Sequence, residues 1–163
     1  MTENAVKFMK MLIIPLIALM PATGQAQTSE PSGKAVAPEE TQIQDRAAFE
    51  RLLGNSGITL QWISWDRRGP VTADYSSNLL RLQGSQTAAD GQGRLELDGV
   101  VSRIGRDFFT FVGRIDIIDT PDIGRACHRE GEMTFRITQN RKYWRLQQME
   151  VCDGLTDYVD IYF

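Results

Sequence analysis

The chain has 163 residues, 42% of them hydrophobic and 24% charged, and carries a formal net charge of −3. That length supports one domain around a single core. The acidic balance argues against nucleic acid as a partner and against a polybasic grip on a membrane surface, since both need an excess of positive charge.

The chain opens with the parts of an export signal. Lys7 and Lys10 precede an apolar run at 11–20 (MLIIPLIALM), and residues 21–27 (PATGQAQ) turn small and polar. Gly24 and Ala26 occupy the −3 and −1 positions of a cleavage site that accepts only small side chains. A spanning helix needs about twenty apolar residues, and this run is shorter and interrupted by Pro15. The expectation is a signal peptide at 1–26, a mature chain starting at Gln27, a periplasmic or secreted location and no stable membrane insertion. Cleavage removes Glu3, Lys7 and Lys10, which moves the net charge from −3 to about −4.

Residues 27–42 (QTSEPSGKAVAPEETQ) lack large apolar side chains and read as a flexible linker, because they cannot bury enough surface to offset ordering entropy. From Ile43 the spacing of Ile43, Ala47, Phe49, Leu52 and Leu53 predicts a short helix over 43–53. Asp45 can cap its first turn, Gly54 ends it, and it would form a lid over one end of a β-structure.

After Gly57 the period changes to two. Strands are expected at 58–65, 71–75, 79–86, 94–104, 108–119, 132–138, 142–151 and 156–163, separated by SSN, DGQG, IGRD, TPDIG and CDGL turn sequences. Phe109, Phe111, Gly113, Ile115 and Ile117 share one face of their strand. Met133, Phe135 and Ile137, and then Val159, Ile161 and Phe163, repeat that pattern. The fold class is therefore mainly β: a small antiparallel meander barrel or sandwich of about eight strands, with one short N-terminal helix and one disulfide, in a single domain over 43–163.

The disulfide rests on Cys127 and Cys152, an even pair in an exported chain. They flank the predicted 132–138 and 142–151 hairpin, whose outer ends meet, and Cys152 would share a core-facing side with Trp144 and Leu146. A Cys127–His128 metal or nucleophile site is disfavoured, because adjacent strand residues point to opposite faces. No G-x-S-x-G, metal-binding His spacing or phosphate loop is present. The sequence accordingly assigns no catalytic residue, metal or cofactor.

What remains is binding chemistry. Trp62 and Trp65 lie three apart, so a regular strand sends one to the core and leaves the other beside Asp66 and Arg67 as a platform for a sugar ring. Tyr158, Asp160 and Tyr162 form a second row on a wet strand face. The expected site is the barrel mouth near the helix and Trp62/Trp65, for a small molecule, a glycan or an envelope protein. A hydrolase using Glu96, Asp98 or Asp116 is the alternative, although Glu96 and Asp98, about 7 Å apart on one face, are more simply neutralised by Arg94 and arginines on adjacent strands. Fourteen of the sixteen mature bases are Arg, which reads as genome composition, since composition alone does not bring arginines together.

Two partial resemblances carry little. The closing Phe163 resembles the terminal aromatic of outer-membrane barrels, a match confined to the last strand, and it implies an outer-membrane β-barrel, with the polar strand faces toward the lumen, as a second alternative to the binding domain. Thr156-Asp157-Tyr158 (TDY) is similar to a lipocalin strand motif, but it sits on the final strand, and Leu60 stands where that family has the glycine before its early tryptophan.

Overall fold

The computed structural model describes residues 37–163; the predicted signal peptide and most of the predicted linker lie outside them. Nine strands and one helix follow in order: β1 (Gln42–Ile43), α1 (Arg46–Leu53), β2 (Gly57–Leu60), β3 (Val71–Ser76), β4 (Leu79–Thr87), β5 (Arg94–Gly105), β6 (Phe108–Ile118), β7 (Ala126–Arg136), β8 (Tyr143–Leu146) and β9 (Val159–Tyr162). The strands pair antiparallel in the order β2-β9-β8-β7-β6-β5-β4-β3, and β1 adds in parallel to β5. Ile58 of β2 exchanges two backbone hydrogen bonds with Gly69, just before β3. This bridge brings the two sheet edges together into a nearly closed barrel.

The period-two pattern places the core. Phe109, Phe111, Ile115 and Ile117 of β6, Leu95 and Leu97 of β5, Phe135 of β7, and Val159 and Ile161 of β9 all point inward and are buried. A bulge between Val101 and Arg103 adds one residue to β5, so Val101 and Ile104 both reach the core. Phe109 stacks on Phe135 at 4.8 Å, and Trp144 packs on both Phe109 and Phe163.

Glycine is needed at one paired position of β5 and β6. Gly99 pairs with Gly113, and a Cβ on Gly113 would lie 2.4 Å from the Asp98 carbonyl and 2.7 Å from the Phe111 ring. The ring occupies the space that two side chains would have filled. Gly113→Ala is therefore expected to cost about 1–3 kcal/mol through overpacking, read as a lower urea midpoint. An unchanged midpoint would show that the Phe111 ring moves freely.

The helix forms where the sequence predicts but starts later, at Arg46. The Asp45 side chain caps it by accepting from the Ala48 N–H at 2.8 Å. Ala48, Phe49 and Leu52 enter the core, and Arg51 lies over the Trp144 and Phe163 rings, so α1 closes the barrel end that holds the β3–β4, β5–β6 and β7–β8 turns. Residues at the end of the predicted linker are already part of the fold. Thr41 is buried with its hydroxyl between Val101 O and Leu80 N, and Gln42 belongs to β1.

Four of the predicted strands differ from the sequence reading by more than one residue at an end. The strand predicted over 58–65 stops at Leu60, because the side chain of Gln86, reaching across from β4, accepts from Leu60 N and donates to the carbonyls of Ser64 and Arg67. These bonds coil residues 61–68 over the barrel end. The strand predicted over 132–138 begins six residues earlier, at Ala126, since β6 offers a partner along its whole length. Those over 142–151 and 156–163 shrink to β8 and β9. Gln61 substitutes for backbone at the start of β9, accepting from Tyr158 N at 2.6 Å and donating to Thr156 O.

Cys127 and Cys152 form the disulfide, with Cα atoms 5.8 Å apart. Cys127 is a buried, inward residue within β7 and not a residue beyond a hairpin end, while Cys152 lies in the loop after β8 and not on a strand. The bond thus ties that loop to the barrel wall.

Candidate functional site

Trp62 and Trp65 lie in the coil after β2, which covers the end opposite the helix. The register shows this directly: Gly57 pairs with Tyr162 at the helix end, and Leu60 pairs with Val159 at the other. The predicted mouth near both the helix and the tryptophans does not exist as one place. The two tryptophans also part company. Trp62, 38% exposed, turns its indole inward and donates from Nε1 to Asp157 Oδ1 at 2.9 Å. Trp65, 45% exposed, lies over the outer face of β8 and β9. Asp66 is in the exposed coil beside it, with its backbone N–H donating to Ser64 Oγ.

Beneath Trp62 lies a buried clasp. The Asp157 carboxylate has no solvent exposure and receives Arg125 through two hydrogen bonds, at 3.1 and 2.9 Å, together with Nη2 of Arg129. Arg129 points into the barrel from β7, beside Cys127, and also donates to Met149 O. Burial opposes ionisation of Asp157, but hydrogen bonds from Arg125, Arg129 and Trp62 outweigh it and hold the carboxyl below its ordinary range. The clasp anchors the 147–158 loop and the Trp62 coil.

On the outside, Arg145 of β8 gathers the remaining predicted residues. It grips Asp160 of β9 with two hydrogen bonds of 2.7 Å and lies 4.1 Å from the Tyr158 ring centre, 5.2 Å from Tyr143 and 5.8 Å from Trp65. Trp65 and Tyr158 are 6.3 Å apart, and Tyr162 packs against Tyr143 at 5.1 Å, with Arg68 over its far face. The Tyr158–Asp160–Tyr162 row therefore exists as a row but not as a wet one. Asp160 has no exposure, because Arg145 and the flanking tyrosines cover it. Burial pushes its carboxyl above the usual range, with Arg145 offsetting part of that effect.

The carboxylates of the alternative reading also converge. Glu96, Asp98 and Asp116 line a groove of about 410 Å³ on the outer face of β3–β6. Each has an arginine: Glu96 with Arg94, Asp98 with Arg81, and Asp116 with Arg114 at 2.7 Å. His128 Nδ1 lies 2.6 Å from the other Asp116 oxygen. Arg94–Glu96 and Arg114–Asp116 are pairs two residues apart on one strand and Arg81–Asp98 joins β4 to β5, so no carboxylate of the groove is without a cationic partner. Among the described residues, no His, Cys, Asp and Glu cluster could hold a metal ion, and no helix is long and apolar enough to cross a membrane.

Comparison with other proteins adds a family. Residues 40–163, all of the barrel and the helix, match the model of the PM1083 family. The chain belongs to the PM1083 family. A relative, the uncharacterized protein PM1083 of Pasteurella multocida (strain Pm70), is 41% identical over 115 residues, covering 69% of this chain and 74% of its own. No solved structure matches. In this PM1083-family chain the residues that sequence reasoning missed are Arg145, Tyr143, Arg125, Arg129 and Asp157. Tyr143 and Arg145 alternate with the core residues Trp144 and Leu146, so pairing their strand with the last one would have found them. Asp157 had a fainter signal, a buried-side tryptophan N–H in need of an acceptor.

Proposed function

We propose that the protein is an exported, non-enzymatic binding domain of the cell envelope, and that its ligand is a saccharide held on the Trp65–Tyr158 platform. One observation carries the reading: Trp65 is nearly half exposed, yet it sits beside Tyr158 and the fixed guanidinium of Arg145. An indole face covers the apolar side of a pyranose while polar neighbours bond its hydroxyls, and an anchored arginine loses little entropy on binding. The disulfide supports an oxidising compartment. The apolar interior and charged outer strands favour a water-facing barrel over one that faces lipid, which needs an apolar outer band. The arginine pairing of Glu96, Asp98 and Asp116 weighs toward binding and away from hydrolysis.

Trp65→Ala and Tyr158→Ala are expected to weaken binding to an oligosaccharide panel by about tenfold each, while thermal unfolding shifts little because both side chains lie at the surface. Isothermal titration checks the affinities and circular dichroism the fold. Retention of every saccharide affinity in both folded variants would remove the platform.

A further inference from the structure

We infer that the saccharide is acidic: the face around Arg145 selects a sugar bearing a carboxylate or phosphate group. The inference rests on the platform reading and adds the ligand's charge. Strand register sets Phe108, Arg136, Arg145, Asp160 and Thr59 side by side across β6, β7, β8, β9 and β2. Arg136 and Arg145 are directly opposed neighbours, an arrangement that destabilises a sheet unless an anion lies between or above them. Asp160 neutralises Arg145 through both of its oxygens, so the positive charge left without a carboxylate in this row is that of Arg136, which lies over the Phe108 ring.

Two more guanidinium groups border the same face. Arg141 lies 5.6 Å from the Tyr143 ring centre and Arg68 4.0 Å from that of Tyr162. Among the described residues, Arg68, Arg136 and Arg141 lean on aromatic rings and form no ion pair with a carboxylate. On the opposite side of the barrel Arg81, Arg94 and Arg114 are each paired. In a chain with a net charge of −3, the face that carries the exposed tryptophan thus holds three arginines without a carboxylate partner, and Arg51 and Arg103, the other such arginines that lean on rings, lie over Trp144, Phe163 and Phe108. Guanidinium forks match the planar or tetrahedral oxyanions of acidic sugars and can bind them through two parallel hydrogen bonds. A long polyanion fits less well, because the acidic remainder of the surface repels charge running beyond the patch.

The test uses the mature protein, titrated with oligogalacturonate as the carboxylate sugar, a delipidated, phosphorylated lipopolysaccharide core as the phosphate sugar, dextran as the neutral sugar and single-stranded DNA as a generic polyanion. At least one acidic sugar should bind about tenfold or more tighter than dextran, and the Arg136→Gln/Arg141→Gln variant should lose about tenfold of that affinity. Arg136 and Arg141 hold no buried partner, so this variant keeps the fold, and Arg81→Gln/Arg94→Gln on the far side serves as the charge-matched control. The acidic probe that gains identifies the oxyanion. Dextran binding as tightly as both acidic sugars would overturn the charge selection and leave the platform standing. Single-stranded DNA binding as tightly as the sugars would overturn it as a generic polyanion effect. Absence of binding by all three sugars would overturn both the inference and the platform.

Discussion

Asp157→Ala is expected to destabilise the domain by on the order of 3–5 kcal/mol, because it leaves Arg125 and Arg129 in the barrel end without their shared counter-charge. Trp62 loses its acceptor in the same step. The clasp also sets the response to acid. The folded-state pKa of Asp157 is depressed, so its stabilisation is complete above the unfolded carboxylate value and disappears as pH falls through the folded one. Asp160 has the opposite sign. Its raised folded pKa makes its contribution complete below the unfolded value and lost as pH rises through the folded one. Urea midpoints measured from about pH 7 down to about pH 2.5 should therefore fall steeply in the parent and less steeply in Asp157→Asn. Asp160→Asn should retain the acid loss. Equal acid slopes in the parent and Asp157→Asn would show that the clasp does not control acid stability.

The second large effect is that of the disulfide. Cys127→Ser/Cys152→Ser should cost roughly 3 kcal/mol, within a range of about 2–5 kcal/mol, for the loop it closes. The bond and the Asp157 clasp hold the same 147–158 segment, one through Cys152 and the other through Arg125, Arg129 and Asp153. Their losses should therefore not add independently, and a cycle combining the double Cys→Ser change with Asp157→Ala measures the coupling by urea unfolding. Two clamps on one segment predict a coupling energy on the order of 1 kcal/mol or more. Strict additivity would mean that each restrains a different part of the loop. A Cys→Ser variant as stable as the parent would show that the clasp alone suffices.

The sequence by itself determined which strand faces form the core, and the structure decided that the sheet curls into a nearly closed barrel and not a sandwich. Alternation needs only the two-residue period of a strand, so the inward set Phe109, Phe111, Ile115 and Ile117 was legible without any knowledge of its neighbours, and all four are buried. The Asp45 cap and the Gly54 stop were legible for the same reason, being interactions within a few residues. The disulfide pairing followed from a count of two. Strand ends were not legible where a side chain from a distant strand replaces backbone pairing. Gln86 ends β2 early and Gln61 shortens β9, and neither glutamine differs locally from one on a solvated strand.

The sites divide in the same way. Residue type showed that one of Trp62 and Trp65 could be a platform and that Tyr158, Asp160 and Tyr162 share a face. Only the tertiary structure decided that Trp62 belongs to a buried clasp, that Asp160 is sealed by Arg145, and that the helix and the tryptophans close opposite ends of the barrel. It also gave the arginines a geometry. Arg68, Arg136, Arg141 and Arg145 are scattered over nearly eighty positions of chain; strand pairing sets Arg136 beside Arg145, and Arg68 and Arg141 reach the rings of Tyr162 and Tyr143 from the adjoining coil and turn. Composition reports how much charge a chain carries, whereas register across strands decides which charges meet, and that register is fixed by the packing of the whole core.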